Sequence, residues 1–308
     1  MRFLKFLAVV VILALPVSGI ASGISVPDGA TWYFHADFDA MRKGKASKGL
    51  YDWLNAEVFT ELRDEIGVDL DKEARRLTAF SGIDQGPVIV IDGTFSQETK
   101  DKVVAFAAMD GEVEPFKASG KTYYFFNSDN DSDVMSGGDI DIDLESLEDE
   151  AYVSVAVRDK IIITHSRAQM EVLLKENGRI ETKGDSKNAL FVLQAERSLV
   201  QAGVNAEHLQ DEDDWDSNIL KNTRQIAFLI ADLGDKLGIE AQLLTTEPEM
   251  ASSLASIVRG LISLQAFDED ADPDVTSILQ STKVDVSGST LKVALALAPE
   301  LVVSALED

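Results

Sequence analysis

AYVSVAVRDKIIITHSRAQMEVLLKENG, residues 151–178, carries the two periodicities that together decide the fold class. Tyr152 to Thr164 is rich in β-branched and apolar residues, with Arg158-Asp159 as the turn between two runs, so it predicts an antiparallel hairpin. Ser166 and Gln169 then stand at the spacing of a capping box, ahead of a helix predicted over 167–177 and closed by Gly178. A hairpin feeding a helix in this way belongs to folds that lay helices on an antiparallel sheet.

Toward the N-terminus the same vocabulary continues. Lys121 to Phe126 predicts a strand, and Pro87 to Asp92 a buried one. Between them Ser96 caps a helix whose expected core face is Val103, Phe106 and Ala107, ending at Gly111. Thr31 to Asp39 alternates, with Trp32, Phe34, Ala36 and Phe38 on one side and Tyr33, His35, Asp37 and Asp39 on the other. Leu50, Trp53, Leu54, Val58, Leu62 and Ile66 then recur at helical spacing up to Gly67.

Toward the C-terminus, Asn188 to Ala195 predicts a strand, followed by a helix to about Leu209. Ile226 to Leu244 is a hairpin turning at Gly234-Asp235, and Thr246 with Glu249 forms a second capping-box spacing. The helix after it has the stripe Met250, Leu254, Ile257, Val258, Leu261 and Ile262. A short helix over Val275 to Leu279 and a hairpin over Val284 to Leu297, turning at Ser287-Gly288, complete the chain. The predicted fold is therefore α+β, in two related units: 22–180, with an acidic insertion over 127–150, and 181–308. Each is expected to be a mainly antiparallel sheet with helices packed on one face. The boundary falls in the Gly, Lys, Asp and Ser cluster of Gly178 to Lys187.

Several of these stretches, in this order, carry a resemblance. VPDGA (26–30), VIVIDGTFSQETK (88–100), ASGKTYYFF (118–126) and residues 151–174, then MASSLASIVRGLISL (250–264) and STKVDVSGSTLKVALALAPELV (281–302), resemble a loose group of secreted bacterial proteins with no assigned function. The landmarks are turns and helix starts, so the resemblance implies a fold and a compartment and carries over no catalytic residue.

Compartment is also read from the start of the chain. Arg2 and Lys5 precede an unbroken apolar run, Leu7 to Leu15, ended by Pro16, and Gly19-Ile20-Ala21 fits the small-x-small cleavage rule. Residues 1–21 are expected to be a cleaved signal peptide, leaving a periplasmic or secreted protein without stable membrane insertion. With no cysteine, the chain can form neither a disulfide nor a lipid-modified cysteine. Its 54 acidic residues against 28 basic ones, a net charge of −26, exclude nucleic acid as a partner and favour divalent cations or a basic protein.

Candidate sites are few. In NSDNDSDVMSGGDIDIDLESLEDE (127–150), Asp139, Asp141, Asp143 and Glu150 have the offsets of a calcium loop, as Asp129, Asp131 and Asp133 begin to in another register. Position six, where the turn wants glycine, is Leu144 or Val134. His35, Asp37 and Asp39 share a predicted strand face at a spacing suited to a metal. Acidic clusters at Asp211 to Asp216 and Asp268 to Asp274 read as solvated loops. Gly120-Lys121-Thr122 lacks the upstream glycine of a phosphate loop, Pro115 standing there, and no serine has a nucleophile-elbow context. Tyr123 to Phe126 puts aromatic residues on both faces of one strand, a buried strand or a binding surface. These features favour a binding or interaction protein without enzymatic activity. A calcium-stabilised structural protein and a carboxylate-based hydrolase remain the alternatives.

Overall fold

The computed structural model describes residues 23–60, 63, 64, 67–82, 86–108, 111–128, 150–185, 189–196, 222–265, 278, 279 and 281–307. The expected signal peptide lies outside them, as do Asp139, Asp141 and Asp143, the acidic clusters after Glu196 and Gln265, and His208.

Strands β1 (Gly23–Pro27) and β2 (Ala30–Asp37) are followed by helices α1 (Phe38–Lys43) and α2 (Lys48–Leu54), the latter running on into a π turn, Asn55–Phe59. Next come α3 (Leu70–Glu73), β3 (Ala74–Gly82), β4 (Gly86–Gly93), α4 (Gln97–Ala107), β5 (Gly111–Ala118) and β6 (Lys121–Ser128). Residues 150–185 hold β7 (Glu150–Ser154), β8 (Lys160–Thr164), α5 (Arg167–Lys175) and β9 (Thr182–Asp185). The remainder comprises β10 (Ala189–Glu196), β11 (Thr223–Asp232), β12 (Leu237–Thr245), α6 (Pro248–Gln265), β13 (Lys283–Ser287), β14 (Thr290–Leu297) and α7 (Pro299–Glu307).

Twelve of these strands form one sheet, in the order β13-β14-β12-β11-β10-β2-β3-β4-β8-β7-β6-β5. Every neighbouring pair is antiparallel. The sheet runs unbroken through the pairing of β2 with β10, in which Phe34 faces Leu193 and Ala36 faces Phe191. Within the stretch Gly178 to Lys187 lies β9, which pairs with β1 in a separate ribbon. At the outer edges, β5 contains Pro115 and β13 exposes Lys283 and Asp285, both deterrents to a further strand.

Alternation assigns each residue to a face. Phe34 and Ala36 of β2, Leu77 of β3 and Ile91 of β4 face α1, α2 and α7 in the largest core, where Phe38, Met41, Leu50 and Val302 are buried. The alternate residues, Tyr33 of β2 and Val88 and Val90 of β4, point the other way. There the ribbon covers Tyr33, Val192 and Leu229 through Val26, while α5 seats Met170, Leu173 and Leu174 on Val88, Val90, Ile162 and Tyr123. The expectation that helices pack on one face is therefore corrected: α5 lies opposite α1 and α2, because β4 and β8 are apolar on both faces and need two covers.

Local signals are only partly obeyed. Ser96 Oγ accepts from the Thr99 N–H at 3.1 Å, capping α4 as expected, and Val103 of the expected stripe reaches the core, yet Phe106 is 48% exposed. Ser166 makes no side-chain cap, Gln169 donates to the Gly86 carbonyl instead, and α5 ends at Lys175, two residues short of 177. Asn177 (φ 55°) and Gly178 (φ 68°) close it in the left-handed region, the Gly178 N–H donating to Leu173 O at 2.6 Å. Thr246 likewise donates its hydroxyl to Asn222 Oδ1 (3.2 Å), and Pro248 opens α6.

Candidate apolar binding site

On the α1–α2 side of the sheet's centre lies a cavity of about 110 Å³. Its floor is Phe34 and Ala36 of β2, Leu77 of β3, Ile91 of β4 and Phe191 of β10. Phe38 and Met41 of α1, Leu50 of α2 and Leu70 of α3 form the sides. Trp53, Leu54, Val58 and Phe59 form the remaining wall, at the end of α2 and in the π turn. Among the described residues this lining presents no polar surface.

The cavity survives because its aromatic rings set their own spacing. Phe34 meets Phe191 edge to face (5.0 Å, 89°), and Phe38 meets Phe59 in the same way (5.0 Å, 90°). Such pairs are worth roughly 0.5–1.5 kcal/mol each beyond area burial. A T-shaped ring pair resists collapsing into the space beside it.

Polar ties hold the helices over that floor. Arg42 of α1 donates from Nε to Tyr51 Oη (2.8 Å) and from Nη2 to the carbonyls of Asp71 (2.7 Å) and Ala74 (2.6 Å). The Tyr51 hydroxyl in turn donates to the Asp71 carboxylate, which joins α1, α2 and α3. Burial, and then that bond to Asp71, push the Tyr51 pKa up to about 12. At the α1–α2 corner Asp232 reaches across from the end of β11 and accepts from Ser47 N–H (3.1 Å) and Ser47 Oγ (2.7 Å). Gly44 sits against the same carboxylate: a Cβ there would lie 2.0 Å from Asp232 Oδ2.

No family model matches the chain, and no curated protein does. Three solved crystal forms of TP0453 are similar in outline. Form III matches with a TM-score of 0.46 at 10% identity over 91% of this chain and 95% of that one. Form I gives 0.44 at 10% over 91% and 94%, and form IV gives 0.48 at 9% over 92% and 98%. Likeness at that level bears on neither ligand nor activity.

Those residues singled out in the sequence as candidate ligands that the structure describes lie outside this lining. Of the expected calcium ligands only Glu150 is among the described residues: it opens β7, is exposed, pairs with Asn127, and its carbonyl accepts from His165 Nδ1 at 3.3 Å. His35, Asp37 and Asp39 do not converge. The His35 ring bonds Thr78 Oγ1 (3.0 Å), Asp37 caps α1 by accepting from Ala40 N–H (2.8 Å), and Asp39, on the helix, pairs with Arg42 (2.8 Å) and Lys43 (3.3 Å). Burial holds the His35 pKa below its usual value against the pull of Asp37. No group of three or more His, Asp or Glu side chains able to hold a metal occurs among the described residues.

The aromatic strand is mostly interior. Tyr123 and Phe126 are buried and Tyr124 and Phe125 half-buried, with Tyr123 Oη donating to Glu171 on α5 (3.0 Å). The sequence presents the cavity residues only as core. Their stripe is visible there, but nothing in a sequence announces a volume left unfilled between four strands, three helices and a π turn.

Proposed function

We propose that this chain is an exported, non-enzymatic binding protein whose cavity takes a small apolar molecule or the end of a hydrocarbon chain. The observation that carries this reading is the wholly apolar lining around about 110 Å³. Apolar cavities of roughly 150 Å³ accept benzene and xenon. A wall without an acid, base or nucleophile suits holding a molecule rather than transforming it.

The expectation of two related units has support in the strand order. Outward from the central pair, β2-β3-β4-β8-β7 in one direction parallels β10-β11-β12-β14-β13 in the other. α4 follows β4 as α6 follows β12, and the β5–β6 hairpin is then an addition to the first unit. On this view the cavity belongs to both units, since Phe191 comes from the second and the other floor residues from the first.

The test is thermal unfolding of the protein without residues 1–21 in benzene-saturated buffer. A ligand that binds only the folded state raises Tm by mass action. Ala36→Leu, which fills the floor, should abolish the rise while leaving the helical and strand signals in circular dichroism intact. An equal rise in both proteins would place benzene elsewhere and sink the reading.

A further inference from the structure

Five of the thirteen residues that line the cavity, Phe34, Phe38, Trp53, Phe59 and Phe191, are aromatic, in a chain whose aromatic content is 7%. Four of them belong to two edge-to-face sets, one on the sheet and one on the helices. On the sheet, Phe34 meets Phe191, and Phe191 meets Phe228 of β11 (6.3 Å, 72°). On the helix side, Phe38 of α1 meets Phe59, and Phe59 meets Tyr51 of α2 (6.2 Å, 64°). Met41, 2% exposed, brings a thioether to the same lining.

Such a lining distinguishes guests of equal apolar area. An aromatic ring carries a quadrupole, negative on its face and positive at its edge. Rings set at right angles present both parts to the space beside them, so a further ring placed there continues the pattern toward floor and helices alike. A polarizable sulfur also makes favourable contacts with an aromatic ring. An aliphatic guest has no such quadrupole and gains chiefly from burial, in proportion to its area.

The height of the space works in the same direction. The Arg42–Tyr51–Asp71 and Ser47–Asp232 ties keep the helices from riding up off the sheet. About 110 Å³ is less than the roughly 150 Å³ of apolar cavities that take benzene, which leaves little slack for a thick guest. A flat ring slides between a sheet and the helices lying over it with less displacement than a puckered one. We propose that the cavity selects a small aromatic ring over an aliphatic group of the same carbon number. This deepens the reading of the cavity as a binding site and rests on it.

The test is an NMR titration of the protein without residues 1–21, with benzene and separately with cyclohexane, following the methyl signals of Leu50, Leu77 and Ile91 in the lining. Burial alone ranks cyclohexane first, since it has the larger apolar surface. One ring–ring contact corresponds to roughly two- to twelvefold in affinity, so benzene should bind about tenfold tighter. Phe59→Leu, which removes a ring from the helix side and keeps the lining apolar, should bring the two Kd values within about twofold of each other. Met41→Leu, a milder change for the case in which Phe59→Leu does not fold, should narrow the gap in the same direction. If cyclohexane binds as tightly as benzene or tighter, the selectivity is refuted while the binding reading stands. An advantage for benzene that is undiminished in each variant that folds refutes it as well. If neither compound moves those methyl signals, the binding reading itself fails, and the selectivity with it.

Discussion

Gly44→Ala and Asp232→Ala should each destabilise the fold by about the same amount, and the double variant by little more than either. Gly44 has φ −75° and ψ 142°, an ordinary extended backbone, so alanine there costs nothing conformationally. The added methyl, however, would stand 2.0 Å from Asp232 Oδ2 and 2.2 Å from Ser47 Oγ, so the carboxylate must leave. With it go the bonds from Ser47 N–H and Ser47 Oγ, the latter on a fully buried residue. Hydrogen bonds to a charged group are worth roughly 1.5–3 kcal/mol, and a stranded buried N–H costs a further fraction of that range. The third bond, from Gly234 N–H, is exposed and passes to water. About 3 kcal/mol is expected from either change. Once the carboxylate is gone, the methyl at position 44 has room after a small shift of Ser47, so the double variant should lose about 3–4 kcal/mol instead of about 6, a coupling of roughly 2–3 kcal/mol. Equilibrium urea unfolding of the four proteins, followed by circular dichroism, measures this directly. Additive losses, about twice that of either single variant, would refute the close-approach argument.

Other consequences are open to simpler assays. Glu240 is 2% exposed and pairs with Lys292 at 2.8 Å, so Lys292→Met, which strands the charge, should cost about 2–4 kcal/mol, more than Glu240→Gln combined with Lys292→Met. Tyr33 and Tyr51 titrate near 12 in the fold, against about 10 when unfolded, both chiefly through burial. Their contribution to stability is whole below about pH 10 and is lost as pH rises toward about 12. Unfolding midpoints across roughly pH 9–11 should fall more steeply in wild type than in Tyr33→Phe/Tyr51→Phe. His35, whose pKa burial lowers, contributes stability that is present above pH 6.5 and lost as pH falls below it, so His35→Gln should flatten that acidic limb.

What is legible in the sequence follows from which signals are local. The β11–β12 and β13–β14 hairpins turn at Gly234 (φ 93°) and Gly288 (φ 57°), where the residues name them, because a turn writes its requirement into two or three positions. Strand β3 is silent: Leu77 and Ala79 face one core, Thr78 and Phe80 the other, and the exposed Arg76 precedes them, so no alternation survives. β5 carries Pro115 and three charges at the sheet's edge, so no strand is expected there from the sequence. The π turn hides inside a plausible α-helical stripe, although the pair Val58-Phe59 in an otherwise 3–4-spaced pattern is a trace of it. Lateral strand order, and with it the cavity, depends on partners far apart in the chain, which no local pattern encodes.

The seam between β2 and β10 bears on how such a chain comes into being. Phe34 cannot meet Leu193 until on the order of 160 further residues have been made, so the middle of the sheet closes late, a contact order typical of slow-folding β topologies. Until then the floor of the cavity has a bare strand along one side, with Tyr33 and Phe34 presented to whatever is near. A fragment ending near residue 180 would keep that bare strand permanently. Under the export proposed above, an obligatory wait at the centre of the sheet would be an advantage, since the chain stays threadable for as long as its last-needed strand is missing.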